Sequence, residues 1–130
     1  MKKKNLFSFS DTSMFNWIIF TAYMIFIFFI SSISVFPDSI QDISKLVSDF
    51  VIHIILYLIF GFLCFRAFFF SNLRSRLFFS VIMFSFIFAI SDEIHQLFVP
   101  GRSFSMLDLL ADFIGIITSQ IIIKFSSKRM

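Results

Sequence analysis

Apolar residues run along this chain in long blocks instead of alternating with polar ones. Residues 15–36, built around NWIIFTAYMIFIFFISSIS, form the first block, and residues 51–70, VIHIILYLIFGFLCFRAFFF, form the second. Each suffices to cross a bilayer as a helix, which takes about 20 predominantly apolar residues. A third block opens at Leu77, but its purely apolar part ends at Ile90, short of a crossing. Full length requires it to run on through Asp92, His95 and Gln96 to about Phe98. The fourth block, residues 106–125, likewise contains Asp108 and Asp112. The pattern predicts an all-α fold: a polytopic integral membrane protein whose residues 1–130 form one bundle of four transmembrane helices.

Composition agrees with that pattern. Of 130 residues, 58% are hydrophobic, more than a soluble domain of this size can enclose while keeping a wettable surface. Lipid removes the difficulty by solvating the outside of the bundle. The single cysteine, Cys64, excludes an intrachain disulfide framework and any Cys-based metal motif. A net charge of +3 is scattered between apolar blocks, so it reports membrane topology and not a nucleic-acid partner. The first block exceeds the length of a signal-peptide core, and an uncleaved anchor is expected.

Charge bias then orients the bundle. Lys2, Lys3, Lys4, Arg66, Arg74, Arg76, Lys124, Lys128 and Arg129 fall on one side, with only Lys45 and Arg102 on the other. The positive-inside rule puts both termini in the cytoplasm. Every acid except Asp11 then lies toward the outside.

Those acids concentrate in SDEIHQLFVPGRSFSMLDLLADFIG, residues 91–115. On a helix, residues three and four apart share a face, so Asp92, His95, Gln96 and Val99 form one stripe. Glu93 stands at its shoulder, either as part of the site or simply solvated at the interface. Asp108, Ala111, Asp112, Gly115, Thr118 and Ser119 form a second stripe, rich in the small residues that let membrane helices approach closely. On the second span His53, Tyr57, Phe60 and Cys64 align. Pro100 and Gly101 suit a tight turn that makes the third and fourth spans antiparallel neighbours. His53, His95 and Asp108 then sit at a shallow level, with Tyr57, Asp92 and Asp112 deeper, and the two histidines converge.

An ionised Asp at the centre of a span costs roughly 2.5–3.5 kcal/mol on insertion scales. Several together have to face the bundle interior, pair with a cation, or be partly protonated, the available partners being Arg102, the two histidines and a ligand or metal. His53, Asp92, His95 and Asp112 are therefore the candidate catalytic groups, with Glu93, Gln96, Arg102, Asp108 and Tyr57 as substrate-binding or supporting groups. The bland alternatives are hydrogen-bonded struts between helices and, for Arg102, a counter-ion to the acids. Asp92-x-x-His95 is like one half of the Glu-x-x-His pattern of di-metal bundles, but it occurs once and carries Asp. The spacing leaves room for a divalent metal without calling for one, and indicates no other cofactor.

At these residues the sequence resembles the VanZ-like family of small bacterial integral membrane proteins. The resemblance rests on Asp92-Glu93-x-His95-Gln96, then Pro100-Gly101-Arg102, then Asp108 and Asp112 one turn apart ahead of Gly115. His53, Tyr57 and Gly61 also resemble the family's second span, while the first span matches only in kind. The resemblance implies a bacterial plasma-membrane protein, and the family's named member is associated with resistance to teicoplanin-type glycopeptides.

Three functions fit. The first is an enzyme acting at the outer leaflet on a lipid-linked or envelope substrate. A histidine would be its base or nucleophile, an aspartate would orient that histidine, and Arg102 would hold an anionic head group. The second is a non-catalytic envelope protein binding a lipid, a glycopeptide or a partner protein. The third is a dimeric proton-coupled transporter, disfavoured because Arg66 is the only charge in the inner half of the spans.

Overall fold

The structure, a computed structural model, describes residues 13–33, 43–70 and 76–128, the side chains of 43–46, 48 and 128 excepted. It contains four helices: α1 (Ser13–Ser31), α2 (Ile43–Phe69), α3 (Leu77–Gln96) and α4 (Met106–Lys128). All four are long and apolar enough to cross a membrane, and no strand occurs among the described residues. The all-helical, multi-pass architecture expected from the apolar blocks is the one observed. Lys2, Lys3, Lys4, Arg74, Arg129, Asp11 and residues 34–36 of the first predicted span lie outside the described residues, as does the side chain of Lys45.

Helix ends differ from the hydropathy pattern where polar residues tolerate a helix. The second helix begins at Ile43, ahead of the predicted residue 51. Hydropathy alone omits Ser44, Lys45, Ser48 and Asp49, yet nothing in those side chains breaks a helix at a membrane surface. The third ends at Gln96 instead of residue 98. Leu97 and Phe98 turn back, their N–H groups donating to the carbonyls of Ile94 (3.2 Å) and His95 (3.0 Å). Arg102 N–H then donates to Val99 O at 3.1 Å, with Pro100 second and Gly101 third in the turn at φ 80°. That φ is the left-handed value a type II turn requires, so the Pro-Gly turn forms as expected.

Contacts between the helices fix their directions. The end of α1 meets the end of α3 through Ser31 and Asp92, and His53 near the start of α2 meets Asp112 near the start of α4. At the other end, Arg66 of α2 reaches Asn16 of α1. The helices therefore run up, down, up and down. One end gathers Asp49, Asp92, Glu93, Asp108 and Asp112; Arg66, Arg76, Lys124 and Lys128 lie toward the other.

The most extensive packing is between α2 and α4. The short turn does bring α3 beside α4, but α2 is the principal neighbour of α4, because glycines let these two backbones close up. A Cβ on Gly115 would strike the Ile54 carbonyl oxygen and come within 2.8 Å of the Leu58 nitrogen. The buried share of the spanning stretch is lowest in α1, 17%, and highest in α4, 39%; α2 packs against all three other helices, and α1 is the peripheral one. Phe20, Phe60 and Phe88 fill the middle, with ring centroids 5.1 Å apart for Phe20–Phe60 and 4.7 Å for Phe60–Phe88. Other phenylalanines, such as Phe29, Phe79 and Phe125, point outward, where lipid solvates them.

Gly115→Val should destabilise the bundle by about 3 kcal/mol or more through overpacking. The check is the midpoint of thermal unfolding in detergent, where a drop of roughly 10 °C is expected. Ile114→Val, on the exposed face next to it, should stay within about 2 °C of the parent. Equal midpoints for the two variants would refute the close α2–α4 approach.

Candidate functional site

The polar end is organised around Glu93. Sequence spacing places this residue at an interfacial shoulder, but the structure encloses it completely, at 0% exposure. The reason lies in the turn that follows. Glu93 Oε2 accepts the Ser105 backbone N–H at 2.9 Å, and Oε1 accepts Gln96 Nε2 at 3.3 Å. Ser105 is the N-cap of α4, its Oγ accepting the Asp108 N–H at 3.2 Å. In a capping box the acid three residues on reaches back to the N-cap N–H. Here Glu93 of α3 already holds that N–H, so the Asp108 carboxylate is released toward α2.

There it approaches His53. Asp108 Oδ2 lies 4.0 Å from His53 Nε2, and Asp112, one turn further along α4, meets His53 Nδ1 through Oδ1 at 2.8 Å. With Asp112 ionised and the imidazole neutral, this pairing puts the ring hydrogen on Nδ1 and the lone pair on Nε2. Asp112 is wholly buried and its second oxygen, Oδ2, has no hydrogen-bond partner among the described residues. His53, Glu93 and Asp112 each offer one donor atom within 4.8 Å of the others.

The remaining predicted residues separate into two groups. Tyr57, Asp92, Gln96, Arg102, Asp108 and His53 all border one cavity of about 190 Å³ between α1, α2, α3 and the start of α4. His95 does not. It stacks on Phe28 (centroids 3.9 Å) and pairs through Nε2 with Ser32 Oγ at 2.9 Å, so the two histidines face different partners instead of converging. Among the described residues Arg102 is not a counter-ion to the acids, one of the two roles open to it from the sequence. Its Nε and Nη2 donate to the Ile33 carbonyl at 3.4 and 3.3 Å.

Helix α1 supplies groups that the sequence reading did not include. Ser31 Oγ donates to Asp92 Oδ2 at 2.7 Å, and Ser32 caps His95. The two serines that close an otherwise apolar run were the available sign, since a polar pair at a span end often meets polar neighbours. Asp49 also borders the cavity, having been left outside the second predicted span. The Tyr57 hydroxyl and the Asp92 carboxylate are both enclosed and interact with each other, though Tyr57 Oη and Asp92 Oδ1 make no hydrogen bond of ordinary geometry among the described residues. Buried polar atoms are rarely left so, and these two sit at the wall of the cavity.

The arrangement is thus an acid–imidazole pair backing a small, mostly enclosed chamber of mixed polar and apolar lining. It can hold a histidine in one tautomer, accept a proton at Nε2, and bind a small polar or charged group. A family model described as VanZ/LLP1 matches residues 2–127, nearly the whole chain. No curated protein and no solved structure matches it.

Nitrogen-15 NMR of histidine-labelled protein should show His53 hydrogenated at Nδ1, and Asp112→Ala should abolish that signature. His95→Gln should leave it intact. A His53 that carries its hydrogen on Nε2 in the native protein would contradict the pairing.

Proposed function

Because the chain belongs to the VanZ/LLP1 family and has four helices fit to span a membrane, we propose that it is an enzyme of the bacterial cell envelope. Its substrate is a membrane lipid or lipid-linked precursor, presented at the outer leaflet of the cytoplasmic membrane. The observation that carries this reading is the 2.8 Å His53–Asp112 pair, whose imidazole borders the cavity. In this reading Asp112 orients the ring, as the aspartate does in hydrolase triads, and His53 Nε2 takes a proton from the attacking hydroxyl or water. Asp92, Gln96 and Tyr57 contact the polar head. Arg102, anchored at the Ile33 carbonyl, borders the same chamber beside an anionic group. His95 acts with Ser32 to position the end of α1.

Chamber size supports a lipid head over an antibiotic. A volume of about 190 Å³ is below the roughly 300–1,000 Å³ of pockets that enclose drug-sized ligands. A glycopeptide is larger still, so a link to teicoplanin resistance would run through an altered envelope lipid. Orientation rests on the positive-inside bias, with the acidic end of the bundle outward.

The test compares envelope lipids by mass spectrometry in strains making the native protein, matched amounts of folded Asp92→Asn or His53→Gln, or none. A lipid species altered only by the native protein is expected, with conversion falling by about 10²-fold or more in His53→Gln. Identical profiles, together with a native protein that still changes glycopeptide susceptibility, would replace catalysis with non-catalytic binding.

A further inference from the structure

We propose that His53, Glu93 and Asp112 bind one divalent first-row transition-metal ion, a role that spacing in the sequence does not call for. The inference stands on donor geometry and charge; with an ion bound between His53 and Asp112 the ion would replace their hydrogen bond, so the metal-bound state is distinct from the one in which His53 accepts a proton.

Charge comes first. Glu93 and Asp112 are both 0% exposed, and Asp108 lies 4.0 Å from the same imidazole. Among the described residues no lysine or arginine pairs with any of these carboxylates, since Arg102 donates to a backbone carbonyl. When ionised, three acids around one imidazole at the edge of hydrocarbon are short of positive charge, which a divalent ion would supply. Hydrogen bonds from Gln96 and Ser105 relieve Glu93 but bring no charge. Asp112 supplies the independent sign. It is wholly enclosed, spends Oδ1 on His53, and keeps Oδ2 without a partner. A buried carboxylate oxygen left bare beside an imidazole is how a ligand atom looks without its ion.

Distance permits the assignment. Donors bound at about 2.0–2.2 Å stand at most roughly 4.4 Å apart across one ion. The donor atoms here fall within 4.8 Å of one another, so side-chain movement of about 1 Å, to the roughly 3.0–3.6 Å between neighbouring ligands of one ion, closes the site. The donor set selects the class of ion. Calcium and magnesium favour all-oxygen shells, whereas one imidazole with two carboxylates suits zinc, manganese or ferrous iron. Glu93 is steadied by Gln96 and the Ser105 N–H, the kind of outer hydrogen bonding that orients carboxylate ligands.

The experiment uses the full chain in lipid nanodiscs, purified without a polyhistidine tag and stripped with a chelator. Zinc is titrated calorimetrically, and manganese is followed by electron paramagnetic resonance. Expected is one ion per chain, with affinity weakened about 10–100-fold or more in both Glu93→Gln and Asp112→Asn. His95→Gln, which leaves His53 as the only imidazole, should bind as the native protein does. Native-like binding by both acid variants, or no stoichiometric binding by the native chain, would overturn the proposal. If either variant misfolds, the native protein still decides. Bound manganese should show coupling to a histidine nitrogen that survives His95→Gln, and a spectrum without that coupling rejects the site. Metal binding without a lipid change would sink the enzyme reading alone, and a lipid change without metal would sink only this one.

Discussion

Enclosing the carboxylates of Asp92, Glu93 and Asp112 within helices that cross hydrocarbon obliges the bundle to bring donors to them, and each helix contributes. Helix α1 supplies Ser31 to Asp92, α2 supplies His53 to Asp112, and α3 with the start of α4 supplies Gln96 and the Ser105 N–H to Glu93. Without such partners each acid would cost several kcal/mol. The helices therefore cannot slide past one another at this end without stranding an acid. The Pro100–Gly101 turn matters for the same reason, since it delivers Ser105 to Glu93. Its left-handed Gly101 sets where α4 begins, and so which of its residues face His53.

The opposite demand, close packing, is met deeper in the bundle. Gly115 lets α4 lie against the backbone of Ile54, Tyr57 and Leu58, one turn beyond Asp112. Position along α4 and position along α2 are thus locked by a steric contact directly beneath a polar one. His53 and Asp112 meet because the glycine below them allows it, and a wider spacing would pull the imidazole out of reach. Tyr57 joins the two layers, with its ring in the core near Phe60 (centroids 5.5 Å) and its hydroxyl at the cavity.

Much of this was legible in the sequence. Hydropathy runs located the four spans, because crossing a membrane demands unbroken apolar length, and helical spacing grouped Asp108 with Asp112 and His53 with Tyr57. What spacing cannot supply is the neighbour. A helical wheel gives the direction of a side chain around its own axis, and leaves open which helix lies that way. Hence His95 and Gln96, adjacent in sequence and placed on one stripe, part company: Gln96 turns to Glu93 while His95 turns to Phe28 and Ser32. The place of Glu93 escapes spacing for a related reason, since its burial depends on the chain that folds back over it ten or so residues later. Yet Ser105-Met-Leu-Asp108 carried a capping pattern that a reading for helix starts would have found.

The peripheral helix gives the cavity its character. With α2 and α4 clamped at Gly115, the chamber lies between that rigid pair, the end of α3, and α1. Only 17% of the α1 spanning stretch is buried, so few packing contacts hold it. Its attachment at this end comes instead from polar links: Ser31 to Asp92, Ser32 to His95, and the Ile33 carbonyl to Arg102. Asp92, Gln96 and Arg102 also border the chamber, so the wall of the cavity and the fastening of α1 share side chains. Any polar group that competes for Asp92 or Arg102 acts on that fastening. The acids that make this end expensive to bury are thereby the same groups that decide how it is closed.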